Sequence, residues 1–169
     1  MRRWGGRLIV GAVLIAVIIW GWTYFFPSPE KAVRKRLAET AQAASFSANE
    51  TPVAKFQNTQ KLMSYCTADI EVAVDAYGQR ITCNGKEELM QAVMYARSQL
   101  LGSLSLEFLD PVINISPNKQ TAFVNLTVRG KVPNDREMLV QECKFTLRKV
   151  GRSWLIRKVE TVKTLARLD

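Results

Sequence analysis

An uninterrupted apolar segment is the first pattern along the chain. Residues 8–26 read LIVGAVLIAVIIWGWTYFF, which is 19 residues without a charge. As a helix this segment would span roughly 28 Å, close to the hydrocarbon thickness of a bilayer. Aromatic rings that favour the membrane–water interface flank it: Trp4 on one side, and Trp20, Trp22 and Tyr24 on the other. We therefore predict a transmembrane helix over residues 8–26 that holds the chain in the lipid bilayer.

The surroundings of this segment distinguish an anchor from a cleaved signal peptide. Residues 1–7 form a short basic tail with Arg2, Arg3 and Arg7, a feature that signal peptides share. The apolar region of a signal peptide usually has only about 7–15 residues and ends in small side chains, whereas this one ends in Trp-Thr-Tyr-Phe-Phe. We predict an uncleaved single-pass anchor. The basic tail favours a cytoplasmic N-terminus and a domain outside the cytoplasm, periplasmic or extracytoplasmic, although four basic residues also follow within residues 31–36.

Beyond Pro27 the periodicity predicts helices first and strands afterwards. Ser28 and Thr51 each precede a proline, the pattern of an N-cap followed by the first helical residue. Period-two alternation predicts a hairpin over residues 70–83, and a third helix is expected over residues 84–101. Four further strands are predicted over residues 104–115, 121–130, 138–150 and 154–162. This order predicts one α+β domain over residues 28–169, with about three helices on one side of an antiparallel sheet.

The third of these four strands separates an apolar face from a charged one. One parity holds Leu139, Gln141, Cys143, Phe145 and Leu147, and the other holds Glu142, Lys144, Thr146 and Arg148. Because side chains alternate across a strand, the first set is expected to face the helices. Eleven basic residues stand against four acidic ones between positions 129 and 167, so we expect a basic sheet face. Such a face is either solvated surface or a site for an anionic membrane or an acidic protein partner; no nucleic acid is expected.

The composition removes several kinds of chemistry. The chain has no histidine, which excludes Ser-His and Cys-His nucleophiles and the commonest metal ligand. Cys66, Cys83 and Cys143 lack CxxC or zinc spacing, so neither a metal nor a cofactor is predicted. Cys66 and Cys83 flank the predicted hairpin and could pair in an oxidising compartment.

The element order carries a resemblance to a known superfamily. Two helices, a hairpin, a helix beginning Gly-Lys-Glu-Glu-Leu and a meander closing with Gly-Arg-Ser-Trp-Leu-Ile-Arg-Lys-Val-Glu resemble the nuclear transport factor 2-like superfamily, including its SnoaL-like branch. The resemblance covers residues 29–163. It implies a cone-shaped curved sheet around helices, with an open and largely apolar mouth, and a tendency to form homodimers through the sheet face. It does not select a function, because this fold carries both enzymes and non-enzymatic adaptors.

Site residues follow in part from this resemblance. Catalytic members use an aspartate base inside the cone, often with tyrosine or histidine, and Asp75 with Tyr77 is the nearest match here. Both residues fall in the predicted hairpin turn, so turn geometry explains them equally well. For the pocket we predict Gln141, Cys143, Phe145 and Trp154. Gln141 is a polar residue at an apolar parity, and a buried amide needs a hydrogen-bond partner, which either the backbone or a ligand supplies.

Three functional hypotheses remain open from the sequence. The first is a membrane-anchored binding or scaffold module, whose cone and sheet face bind a protein partner, a second copy or a small apolar ligand. The second is a lyase or isomerase of the cone fold that uses Asp and Tyr in acid–base catalysis, which would require a carboxylate with a pKa raised by burial. The third is an assembly component of a secretion or envelope complex, because the inner-membrane assembly factor of type IV secretion machines has a similar layout.

Overall fold

A computed structural model of the chain describes residues 28–76, 79–99, 103–131 and 138–168. The predicted anchor, residues 8–26 with its flanking aromatic rings, lies outside these residues, and so does Tyr77. Within the described part of the chain, every helix is too short or too polar to cross a membrane.

Three helices precede or interrupt the strands, and both predicted helix starts are confirmed. Helix α1 spans Pro29–Ala44, α2 spans Pro52–Ser64 and α3 spans Lys86–Gln99. The Ser28 hydroxyl accepts a hydrogen bond from the Lys31 amide at 3.3 Å, and Thr51 accepts one from the Ala54 amide at 3.2 Å. Helix α3 begins two residues later than predicted. Gly85 has a φ of +88° and donates its amide to the carbonyl of Ile70, so it belongs to the turn and not to the helix.

The six strands form one sheet in the order β2-β1-β6-β5-β4-β3. Their bounds are Cys66–Ala76 for β1, Gln79–Asn84 for β2, Ser105–Ile115 for β3, Thr121–Lys131 for β4, Met138–Val150 for β5 and Ser153–Leu168 for β6. The prediction of a wholly antiparallel sheet is wrong at one pair, because β6 returns beside β1 in the parallel direction. Strand β1 also begins earlier than predicted. A register shift between Cys66 and Glu71 interrupts the alternation that would have indicated its first residues.

The predicted separation of faces is confirmed by burial. Gln141, Cys143, Phe145 and Leu147 of β5 are all buried, while Glu142 and Arg148 of the opposite parity are exposed. The buried side chains of β4, β5 and β6 form the main core with Val33 and Leu37 of α1. A second cluster joins the three helices through Ala43, Leu62 and Met63. The sheet therefore has one concave apolar side, covered by the helices, and one solvated side.

The solvated side has mixed charge, which corrects the expectation of a basic face. Arg157 lies 3.2 Å from Asp69, Arg148 lies 3.9 Å from the same carboxylate, and Arg129 pairs with Glu107. Lys158 lies 2.8 Å from Glu160. The basic residues that cluster in the last quarter of the sequence thus meet acidic residues from β1 and β3. A charge count along the chain missed this, because strands distant in sequence share the surface.

Candidate functional site

Four residues form a polar cluster on the otherwise apolar concave side. The Gln141 side-chain amide donates to the backbone carbonyl of Asp75. Thr161 lies beside them: its hydroxyl donates to the Gln141 Oε1 at 3.4 Å and accepts from the Asp75 amide at 3.1 Å. Cys143 Sγ lies 4.0 Å from the same hydroxyl. We call Asp75, Gln141, Cys143 and Thr161 the interior polar cluster.

The cluster lies where the parallel pairing of β1 with β6 stops. The last register pair of these strands is Ala73 with Glu160, and two residues later the backbone of Asp75 bonds to side chains instead. Buried or half-buried backbone groups need such partners. Gln141 and Thr161 therefore extend the attachment of β1 to β5 and β6 beyond the strand ladder. The partner that a buried amide at Gln141 requires is a backbone carbonyl.

Asp75 is the member of the cluster that could do acid–base chemistry. Asp75 is half-buried. The pKa of the Cys143 thiol is raised, chiefly by burial of the thiol and in smaller part by the negative charge of Asp75. The carboxylate of Asp75 is therefore within electrostatic reach of the concave side. Tyr77, the tyrosine proposed to work with it, lies outside the described residues.

The predicted pocket residues do not all come together. Gln141 and Cys143 meet in the interior polar cluster. Phe145 is the next inward residue of β5, and its ring lies 5.2 Å from that of Phe108. Trp154, in contrast, pairs with Lys149, and that position is roughly 25 Å along β5 from Gln141. Trp154 is 3% exposed and packs in the main core. It therefore lies at the end of the concave side that is far from the interior polar cluster.

The three cysteines are free, buried thiols. Burial raises the pKa of Cys66 to about 11 and also raises the pKa values of Cys83 and Cys143. The thiolate is the nucleophilic form, so these environments oppose nucleophilic chemistry. The pairing of Cys66 with Cys83, which the sequence left open, is not formed. Cys83 pairs with Val72, and Cys66 lies roughly 20 Å before Val72 along β1, whereas a disulfide requires Cα atoms within about 7 Å.

Carboxylates are scarce on the concave side. The described residues include twelve Asp and Glu, and none of the twelve is buried. The pKa of Asp69 is lowered, chiefly by the nearby Thr67 hydroxyl, and that of Glu160 is lowered, chiefly by a hydrogen bond from Lys158. Among the described residues, no three Cys, Asp or Glu side chains lie close enough together to bind a metal ion.

One buried charged residue, Arg97 of α3, was missed by the sequence analysis. Its side chain is 1% exposed and lies 2.8 Å from a carboxylate oxygen of Glu50. The same guanidinium donates to the carbonyl of Ala43 at 2.7 Å and covers the ring of Phe46. The helical spacing of Met90, Val93 and Arg97 was the available signal. Through these contacts Arg97 of α3 stabilises the position of the segment that connects α1 with α2.

A separate groove lies between α1 and the edge strand β3. Its volume is about 530 Å³, and Leu37, Ala41, Leu106, Phe108 and Pro111 are among its lining residues. Arg34 and Glu107 place opposite charges at its rim. The groove is apolar and open, and the interior polar cluster does not line it.

Similarity to known proteins is confined to structure. No protein-family profile and no curated protein matches the sequence. A nuclear transport factor 2-like protein of unknown function from Pseudomonas putida has a TM-score of 0.65 at 13% identity, covering 85% of this chain and 98% of that one. A candidate scytalone dehydratase from Novosphingobium aromaticivorans has a TM-score of 0.62 at 13% identity, over 83% and 86% of the two chains.

In a third similar structure the fold is called cystatin-like. It is that of a protein of unknown function from Nostoc punctiforme, with a TM-score of 0.58 at 12% identity, over 78% of this chain and 88% of that one. Identities this low relate the folds and not the activities. The described part of this chain therefore has the nuclear transport factor 2-like fold, an α+β structure of three helices and a curved six-stranded sheet.

Proposed function

We propose that this chain is a single-pass membrane protein whose extracytoplasmic domain binds a partner and does not catalyse a reaction. The partner is a second copy, another protein of an envelope assembly, or a small apolar ligand held against the concave side. The membrane part of the proposal rests on residues 8–26, whose length and lack of charge suit a bilayer span.

The proposal that the domain does not catalyse a reaction is supported by where its carboxylates lie. Acid–base catalysis in an apolar cone needs a carboxylate whose pKa is raised by burial. None of the described acids is buried, and the chain contains no histidine to replace one. Arg97, the buried charge, is neutralised by Glu50 and bonded to backbone, as expected of a structural residue.

The placement of Asp75 favours a second candidate, an enzyme of the lyase or isomerase type. Asp75 adjoins the interior polar cluster, and one structural neighbour is named as a candidate dehydratase. In the binding module, the backbone of Asp75 matters and its carboxylate does not. Asp75→Asn keeps the backbone bonds, so it should leave partner binding and stability nearly unchanged. Loss of a measurable turnover in this variant, with binding retained, would instead support the enzyme.

Native mass spectrometry of the full chain tests the binding module directly. The chain is extracted from membranes in detergent and released from micelles in the gas phase. We expect a homodimer, a stoichiometric protein complex or a retained apolar molecule. A bare monomer at every protein concentration, with nothing copurified, would contradict the proposal.

A further inference from the structure

The geometry of α1 and β3 defines which end of the domain lies next to the anchor. The C-terminal end of α1 contacts the start of β3, since the Leu106 amide donates to Ser45 Oγ at 2.9 Å. Further along, Arg34 of α1 and Pro111 of β3 line the same groove. Helix and strand therefore run in opposite directions from the Ser45–Leu106 contact. The start of α1 thus lies towards the same end of the domain as the end of β3, beyond the bulge between Leu109 and Val112.

Two turns occupy this same end of the domain. The turn after β3 covers residues 116–120, and the turn between β5 and β6 covers residues 151–152. They are neighbours, because the Lys149 amide donates to the carbonyl of Gln120 at 2.8 Å. In the sequence only Pro27 separates the apolar segment from Ser28. If that segment spans a bilayer, both turns must lie close to the lipid surface.

This end of the domain carries an excess of positive charge. Its basic residues are Lys31, Arg34, Lys35, Lys119, Lys149 and Arg152, and we call them the anchor-proximal cationic surface. Two acids of α1 oppose them: Glu30 lies 3.4 Å from Arg34, and Glu39 lies 3.9 Å from Lys35. Asp69 of β1 is already paired with Arg148 and Arg157. Lys119 and Arg152 are exposed at the tips of the two turns, without an ion pair among the described residues.

We infer that the anchor-proximal cationic surface binds the phosphate groups of anionic lipids and so holds the domain upright on its own membrane. This inference rests on the proposed membrane anchor. On the outer face of the sheet Arg129 and Arg157 meet acidic partners, whereas Lys119 and Arg152 at this end have no ion pair among the described residues. Basic residues next to a membrane span are attracted to anionic lipid within about one Debye length.

The test uses the full chain in vesicles and a fluorophore at the turn. Ser153→Cys introduces an exposed thiol beside Arg152, and the native thiols are buried with raised pKa values, so labelling is selective. The vesicles contain a lipid with a spin-labelled headgroup that quenches nearby fluorophores. We expect strong quenching in phosphatidylcholine mixed with phosphatidylglycerol and weak quenching in phosphatidylcholine alone. In the anionic vesicles, about 0.5 M salt should remove the difference.

Charge reversal supplies the matched comparison. Lys119→Glu with Arg152→Glu should lower quenching in anionic vesicles to the level of neutral ones. Arg80→Glu with Lys131→Glu makes the same change in charge at the opposite end of the sheet and should leave quenching unchanged. Equal quenching of the parent protein in both lipids would overturn the inference, as would an unchanged signal in high salt. If the chain fails to float with the vesicles at all, the membrane anchor itself is wrong.

Discussion

At the residue scale, buried Arg97 forms an ion pair with half-buried Glu50 that holds the α1–α2 connection against α3. Arg97→Ala would leave Glu50 without its partner and remove the bond to the carbonyl of Ala43. Breaking a buried pair typically costs about 3–5 kcal/mol, and we expect a loss of that size in the free energy of unfolding. Arg157→Ala, which breaks exposed pairs on the outer face, should cost less than about 1 kcal/mol. Urea titrations of both variants in detergent measure the difference, and similar losses would refute the structural role.

Because of Cys66, we expect the free energy of unfolding of the chain to fall at alkaline pH. Burial raises the pKa of the Cys66 thiol from an ordinary value of 9.0 to about 11 in the folded chain. The protonated thiol is favoured by folding, so its contribution is complete below pH 9 and is lost as the pH rises through 11. Two pKa units correspond to about 2–3 kcal/mol. Relative to Cys66→Ala, the parent chain should lose this much stability between these two pH values. A constant difference between the two proteins would contradict the assigned burial.

Single-residue environments were the least predictable part of the molecule from sequence. The parity of β5 correctly predicted that Gln141 and Cys143 would face inward. Asp75 comes from β1, far away in the sequence, and Thr161 from the neighbouring strand β6, and the register of the folded sheet brings them to Gln141. Arg97 was missed for the same reason, since an arginine on an apolar helix face is stable only where Glu50 meets it.

At the scale of elements, the turns carry backbone strain that can be tested. Lys119 adopts a φ of +55° in the turn before β4, and Gly151 a φ of +61° in the turn before β6. A residue with a side chain loses roughly 1–2 kcal/mol in this left-handed conformation. Replacing it by glycine removes that cost, but glycine loses more conformational entropy on folding, so only part of the gain remains. Lys119→Gly should therefore stabilise the chain by about 0.5–1 kcal/mol.

Gly151→Ala is the converse change and should destabilise the chain by about 1 kcal/mol. A Cβ at this position would meet no atom within 4 Å, so the effect comes from the backbone alone. Thermal unfolding of the two variants should move in opposite directions. Shifts of the same sign would argue against the left-handed conformation at one of the two turns.

Elements were predicted well because their signals are local. Proline after Ser28 and Thr51 fixed two helix starts, and alternation fixed the cores of the strands. The parallel pairing of β1 with β6 was not predictable in this way, because pairing partners depend on contacts across the whole chain. The irregular start of β1 was hidden by its register shift.

At the scale of the whole molecule, a domain of nuclear transport factor 2-like fold follows an apolar segment that we propose to be a membrane anchor. None of the described carboxylates is buried, and the end of the domain that holds Ser28 carries the anchor-proximal cationic surface. These features are coherent for a module that is held at a membrane and binds a partner.

Alkaline carbonate extraction of membranes that contain the full chain tests this most directly. We predict that the chain stays in the membrane pellet with residues 1–27 intact. Leu14→Arg with Val17→Arg should move it to the supernatant, because each arginine at the centre of a span costs about 2.5–3.5 kcal/mol. Recovery of the parent chain in the supernatant, or a mature N-terminus just beyond Pro27, would contradict the account.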